Sequence, residues 1–151
     1  MVEGFSERIA FIVGNDRMIP HFHMQVEEAR DGFARVSARV EEDFLNCHRV
    51  AHGTLIFALI DVAFAIAVNA AADAMGVQWS FNILRAARPG EALTAECWTL
   101  HRGSRLHAVE YQVKNDAGKL LAKGQATALP VTTHNPGEPS APETKDRVSP
   151  A

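Results

Sequence analysis

The segment HGTLIFALIDVAFAIAVNAAADAMG, His52 to Gly76, decides how this 151-residue chain is read. From Leu55 to Val68 every residue is apolar except Asp61. A helix that is apolar on all sides is either a membrane span or a core helix. Continued through Ala72, the run approaches the ~20 apolar residues a span needs. Against this, a carboxylate near the centre of a span costs about 2.5–3.5 kcal/mol even on lenient scales. Asn69 and Asp73 follow, and beyond Arg49 no Lys or Arg flanks the run. The segment therefore reads as a buried helix from about His52 to Ala74, roughly 34 Å long. Gly76 is placed to end it.

On either side of this helix the pattern is shorter and different. Phe5, Ile9, Ile12 and Val13 fall at helical spacing, which predicts a short amphipathic helix over residues 3–13. GNDRMIP reads as a loop. FHMQVEEA, RDG and FARVSARVEED read as a strand hairpin turned at Gly32. In its second arm Ala34, Val36, Ala38 and Val40 alternate with Arg35, Ser37, Arg39 and Glu41, the mark of a half-buried strand. After Gly76 four strands are expected: VQWSFNILRAA, EALTAECWTLH, RLHAVEYQVK and KLLAKGQATAL. The turns between them are Pro89-Gly90, HRGSR and Asn115-Asp116-Ala117-Gly118. Leu120, Ala122, Gly124, Ala126 and Ala128 share one face of the last strand, where small residues would let a helix lie close. Residues 131–151 are rich in Pro, Ser and Thr and read as a flexible tail after a single domain over 1–130.

Composition narrows the class. Hydrophobic residues make up 47% and charged residues 22%, as in ordinary globular domains. A net charge of -3 leaves no basic footprint for nucleic acid. Cys47 and Cys97 form no framework and no CxxC pair, so a reduced, cytoplasmic protein is expected. The N-terminus lacks the basic start and apolar core of a signal peptide. His21 and His23 have no third ligand at fitting spacing, so no metal is expected. Cys47 and His48 are adjacent and point apart on extended chain, which disfavours a thiol–imidazole pair.

Hairpin, long apolar helix, then four strands make an α+β arrangement. One helix cannot hide its whole circumference against one sheet. A sheet that wraps around it, with a second copy covering the rest, would do so. This is the hotdog fold, one long central helix wrapped by an antiparallel β-sheet. Asn46-x5-His52-Gly53-Thr54-x2-Phe57-x-Leu59-x-Asp61 resembles the signature of the PaaI-type hotdog acyl-CoA thioesterases, N-x5-H-G-G-x2-F-x-L-x-D. Ala63-Phe64-Ala65 and Asn69 match the same helix. Phe81-Asn82, Arg88-Pro89-Gly90 and Gly118-Lys119-Leu120 fall where similar elements lie. The likeness covers about residues 20–130. It departs at Thr54, which replaces the second glycine and sets a side chain near the substrate carbonyl.

The residues by themselves suggest compatible chemistry. Burial raises the pKa of Asp61, and a wet site would let it ionise and act as nucleophile or general base. The N-terminus of the helix, at Gly53 and Thr54, offers unpaired N–H groups and a positive dipole end to a developing oxyanion. Gly53 and Asp61 lie eight residues apart, about 12 Å along one helix. Both must come within ~3 Å of the reacting group, so one chain cannot supply both. Two antiparallel helices from two subunits can, and the family builds its sites in this way. Asp61, Gly53, Asn46 and His52 are therefore the catalytic candidates. His52 reads as a helix-start residue that orients Gly53 rather than an acid–base catalyst, and Asn46 either holds the water or acyl carbonyl or forms a turn. Thr54, Phe57, Phe64, Gln78 and Ser80 are the substrate-binding candidates. In related enzymes a polar residue near Gln78 helps position the water.

Three function classes follow. The first is hydrolysis of an aryl or medium-chain acyl-CoA to acid and CoA, with CoA as part of the substrate and no separate cofactor. The second is a hotdog dehydratase or hydratase, disfavoured because Gly-Thr-Leu follows His52 where that class usually has a Pro-rich segment. The third is a non-catalytic acyl-CoA binding protein. Arg85, Arg88, Arg102 and Arg105 near strand ends are either CoA-phosphate ligands or solvated charges. The expected assembly is a homodimer or a dimer of dimers, with no nucleic acid or membrane partner.

Overall fold

The apolar segment forms α3, Gly53–Asn69, in a computed structural model that describes residues 4–131. Leu55, Ile56, Leu59, Ile60 and Ile66 are almost wholly buried. Each such side chain contributes about 1.5–3 kcal/mol relative to exposure. Among the described residues no helix is long and apolar enough to cross a membrane. The expected tail beyond Val131 lies outside the described residues.

α3 is shorter than the sequence predicts, 17 residues and about 26 Å. Asn69 ends it. Its side-chain amide donates to the Ala65 carbonyl at 3.0 Å, and its Oδ1 accepts the Ala74 N–H at 2.7 Å. Arg8 of α1 (Glu7–Asn15) donates to the Asn69 carbonyl and pairs with Asp73. The clamp turns the chain straight into β3, Ala74–Ile83. Gly76 is thus a strand residue, not a helix terminator. A Cβ there would fall 2.3 Å from the Trp79 ring and 2.8 Å from Phe64, so packing rather than helix capping demands the glycine.

Two smaller differences lie at the N-terminus. α1 starts at Glu7 because Ser6 caps it, its hydroxyl accepting the Ile9 N–H. Within the expected loop, Met18–His21 forms a one-turn helix, α2, with Asp16 Oδ1 accepting the Met18 N–H at 2.8 Å.

The hairpin forms as expected, from β1 (Gln25–Arg30) and β2 (Phe33–Arg39), with Gly32 at φ 76° in its turn. β4 (Ala92–Arg102), β5 (His107–Asn115) and β6 (Leu120–Pro130) complete one antiparallel sheet, ordered β1-β2-β4-β5-β6-β3. Bulges in β1, β3, β4 and at the β5–β6 pairing bend this sheet around α3. The helix lies chiefly across β2, β4 and β5. Ala122, Ala126 and Ala128 on the small face of β6 are buried in the same core cluster as the helix. A Cβ on Gly124 would come within 2.0 Å of the Ser80 carbonyl oxygen, so this glycine lets β3 fold tightly over β6. Tyr111 fastens the same corner, its hydroxyl reaching the carbonyls of Ser80 and Gln125.

Candidate active site

Every fourth residue of α3 is half-buried: Gly53, Phe57, Asp61, Ala65 and Asn69. All the others except Thr54 are buried. Residues four apart lie one above another on a helix, so these five form one open stripe. Asp61 sits in its middle and makes no hydrogen bond or ion pair among the described residues. Burial pushes its pKa up, and the Asp16 carboxylate adds to the rise.

The stripe begins at the helix N-terminus, where one donor is left over. His52 is the N-cap, and its Nδ1 accepts the Thr54 N–H at 3.1 Å. Thr54 Oγ1 lies 2.6 Å from the same nitrogen. The Leu55 N–H donates to the His52 carbonyl. Gly53 N–H has no acceptor among the described residues. The expectation that both Gly53 and Thr54 offer free donors is therefore corrected: His52 consumes the Thr54 N–H, and only that of Gly53 remains.

Asn46 shapes the loop before the helix. Its Oδ1 accepts the N–H groups of His48 at 2.9 Å and Val50 at 3.4 Å. The turn-forming reading thus describes its carbonyl oxygen, while its residue also lines the cavity beside Gly53. That cavity, about 270 Å³, is walled by Asn46, Gly53, Ile56, Ile83 and Leu84. A second cavity, about 470 Å³, lies on the other side of the helix start, among His21, Phe22, Phe44, His52 and Thr54. Asp61 lines neither.

The aromatic candidates meet β3. Phe57 stacks on Phe81 with ring centroids 5.8 Å apart and packs edge-on to Trp79. Phe64 also packs on Trp79 and is 3% exposed, so within one subunit it is core. Trp79 and Phe81 point toward the helix, which sends Gln78 and Ser80, both exposed, to the opposite face of the sheet. One subunit therefore gathers Asn46, His52, Gly53 and Thr54 at the helix start. It places Asp61, Phe57 and Phe64 further along, and Gln78 and Ser80 apart from both. Trp79 and Phe81 are site neighbours the sequence reading left unassigned; their alternation with Gln78 and Ser80 was the available signal.

The family model for the thioesterase superfamily matches residues 48–122. A putative esterase of Archaeoglobus fulgidus is 32% identical over 127 residues, covering 83% of this chain and 82% of that protein. The chain belongs to the thioesterase superfamily. Within it, this thioesterase is of the PaaI type with a hotdog fold. The acyl-coenzyme A thioesterase PaaI of Escherichia coli is 29% identical over 109 residues, covering 72% of this chain and 78% of its own. The structure of that protein superposes with a TM-score of 0.81 at 25% identity, covering 83% and 92% of the two chains. A hypothetical thioesterase of Streptococcus pneumoniae, solved with coenzyme A, gives a TM-score of 0.69 at 25% identity over 75% of this chain and 96% of its own. For this thioesterase the matched span contains the helix start, the Asp61 stripe and β3 through the start of β6.

Proposed function

We propose that this thioesterase hydrolyses an acyl-CoA, with an aryl or medium-chain acyl group, to the free acid and CoA in a site shared by two subunits. The observation that carries the reading is the α3 stripe. It holds an idle Gly53 N–H at one end and an unpaired carboxylate eight residues along. The coenzyme A bound by the pneumococcal relative and the name of the E. coli relative support CoA as the carrier. That protein's origin in a phenylacetic acid degradation operon supports aryl-acyl groups.

The chemistry follows from charge. As a nucleophile adds to the thioester carbonyl carbon, the carbonyl oxygen becomes an oxyanion. The Gly53 N–H, at the positive end of the α3 dipole, stabilises it. Ionised Asp61 of the partner subunit either takes a proton from the attacking water or attacks the carbonyl itself. Collapse breaks the C–S bond, and the CoA thiolate leaves and is protonated. In the second route water then hydrolyses the anhydride. His52 positions the oxyanion donor, and Asn46 borders the reacting group. Gln78 and Ser80 reach a substrate only through the assembly. No step calls for a metal or a separate cofactor.

The stripe also supports a particular symmetry. If Gly53 of one copy meets Asp61 of another across a two-fold axis, the axis passes halfway between them, at Phe57. The strand next to this face supports the same partner. β3 pairs with β6 on one side only, and its other edge is unpaired among the described residues. It exposes Met75, Val77 and Ile83. A long, partly apolar edge of this kind invites a second copy. A dimer, or a dimer of dimers, is the proposed active unit. The exposed free thiol of Cys47 fits a reducing cytoplasm.

Thiol release from a panel of acyl-CoA thioesters tests the function, wild type against Asp61→Asn. The reading expects CoA release by the wild type alone. CoA binding without release would favour the binding-protein class, and hydration of an enoyl-CoA without thiol release would favour the hydratase.

A further inference from the structure

We propose that Thr54 is a positioning residue: it locks the His52 imidazole with its proton on Nε2, so that the ring offers a neutral donor to oxygen-bearing acyl groups in the cavity of about 470 Å³. The inference rests on the acyl-CoA reading of the helix start.

The lock follows from hydrogen-bond roles. A backbone N–H can only donate. Nδ1 of His52, which receives the Thr54 N–H at 3.1 Å, therefore carries a lone pair and no proton. Thr54 Oγ1, 2.6 Å from the same nitrogen, must then donate as well, and it makes the shorter of the two bonds. A neutral imidazole with a lone pair on Nδ1 has its proton on Nε2. Turning the ring over would set a C–H against both donors and leave both unpaired. One residue thus fixes tautomer and orientation together. The signature that the chain resembles has glycine at this position, where only the N–H could hold the ring.

Nε2 is the free end of the ring and makes no hydrogen bond among the described residues. Because Nδ1 faces the helix, Nε2 faces away from it, on the side where His52 lines the cavity. Phe22, Phe44 and Leu55 give that cavity apolar walls. Its other imidazoles are differently engaged. His23 meets Glu41 through Nδ1 at 2.9 Å, and His21 packs edge-on against Phe22. Asp43 also lines the cavity and pairs with no cation among the described residues, so an anionic acyl group would meet repulsion there. What fits is a mainly apolar acyl group with an uncharged oxygen acceptor. One cavity lies beside Gly53 and β3 and the other beside Thr54, so a thioester held at Gly53 can send its two arms to opposite sides of the helix start.

The first test is spectroscopic. Nitrogen NMR of the protein with isotope-labelled histidine, under mildly alkaline conditions and with His52 assigned through His52→Asn, should show Nε2 protonated and Nδ1 bare in the wild type. Thr54→Ser keeps a hydroxyl and should keep the Nδ1 signal. Thr54→Val and Thr54→Ala, both checked by melting, should move that signal toward the position of a free ring nitrogen. A proton on Nδ1 in the wild type overturns the lock, as does a signal that these two variants leave unmoved.

The second test is selection. Calorimetry in the Asp61→Asn background, where the thioester is not consumed, compares methoxyphenylacetyl-CoA with ethylphenylacetyl-CoA, substituted at the para or the meta position. The two groups are similar in size, and only methoxy accepts a hydrogen bond. In at least one pair the methoxy ligand should bind about threefold tighter or more, the worth of one net hydrogen bond. That preference should fall in Thr54→Val and Thr54→Ala and return in Thr54→Ser. No preference in either pair, or a preference that loss of the hydroxyl leaves intact, overturns the selection. If both tests come out as expected and the wild type releases no thiol from any acyl-CoA, the assignment of Thr54 stands and the hydrolytic reading falls.

Discussion

The imidazole of His52 accepts the backbone N–H of Thr54 at 3.1 Å, and in doing so leaves Gly53 with the idle donor at the head of α3. In the proposed mechanism His52 acts through geometry, as a cap, and not by proton transfer. His52→Ala should lower stability by about 0.5–2 kcal/mol, the usual worth of an N-cap. His52→Asn restores a capping oxygen and should recover both stability and more than a tenth of wild-type turnover. A role in acid–base catalysis would instead show as a loss of ~100-fold or more in the Asn variant.

Gly53 needs no side-chain hydrogen for the fold's sake. Its φ is not positive, and an added Cβ would meet only Ile83 Cδ1, at an ordinary 3.6 Å. Its bareness points to the space a substrate would occupy. Gly53→Ala is expected to melt within a few degrees of the wild type yet lose about tenfold or more in kcat/KM, since the reacting carbonyl could no longer approach the donor closely. A fully active Gly53→Ala enzyme would remove Gly53 from the site.

In the proposed mechanism Asp61 carries the pH dependence. Its pKa is raised by burial first and by Asp16 second, and the proposed chemistry needs the ionised form. The acid limb of kcat/KM should lie above the ordinary carboxylate range, and Asp16→Asn should move it to lower pH. Stability runs the other way. Because the folded pKa exceeds the unfolded value near 3.8, ionised Asp61 destabilises the fold, increasingly as pH climbs through that interval and fully above it. Asp61→Asn should raise Tm at neutral pH, and the gain should shrink as pH falls from the raised pKa toward about 3.8 and be absent below it. The same variant should lose at least ~100-fold in turnover. A tenth of the activity left would rule out the role.

Much of this was legible in the chain, and what was not has physical causes. The apolar run around Asp61 announced a buried helix, and the alternation from Ala34 to Val40 announced a strand. The end of α3 was hidden because Ala70–Ala72 are good helix formers. What stops the helix is Asn69, held by Arg8 from 61 residues away. Gly76 looked like a terminator because its real neighbours, Trp79 and Phe64, meet it only in the fold. Period-two alternation grouped Gln78 with Ser80 but could not say which face was inward; the rings of Phe57 and Phe64 decide that by holding Trp79 and Phe81. At the helix start the spacing showed donors without showing that His52 would take one of them.

A two-fold axis at Phe57 makes a structural prediction. In a Cys47→Ser background, which removes the exposed native thiol, Phe57→Cys should form a disulfide-linked dimer under mild oxidation. Thr54→Cys, a turn away from the axis, should not pair with its own copy. Cross-linking at Thr54 and not at Phe57 would move the axis and separate Gly53 from Asp61.

Subunit mixing tests the shared site most directly. Gly53→Pro deletes the idle N–H at the first helical position, where proline is well accepted. His52, at φ -64° and ψ 141°, already has the conformation a following proline demands. Once the Pro variant is shown to fold and exchange, it is mixed with Asp61→Asn, each homodimer alone being inactive. In a mixed dimer one site receives both lesions, and the other receives an intact Gly53 and an intact Asp61. Random exchange makes about half the dimers mixed, each with one working site of two, so activity should return to roughly a quarter of wild type. No recovery from exchanged, folded subunits would place Gly53 and Asp61 of one chain in the same site and contradict the account.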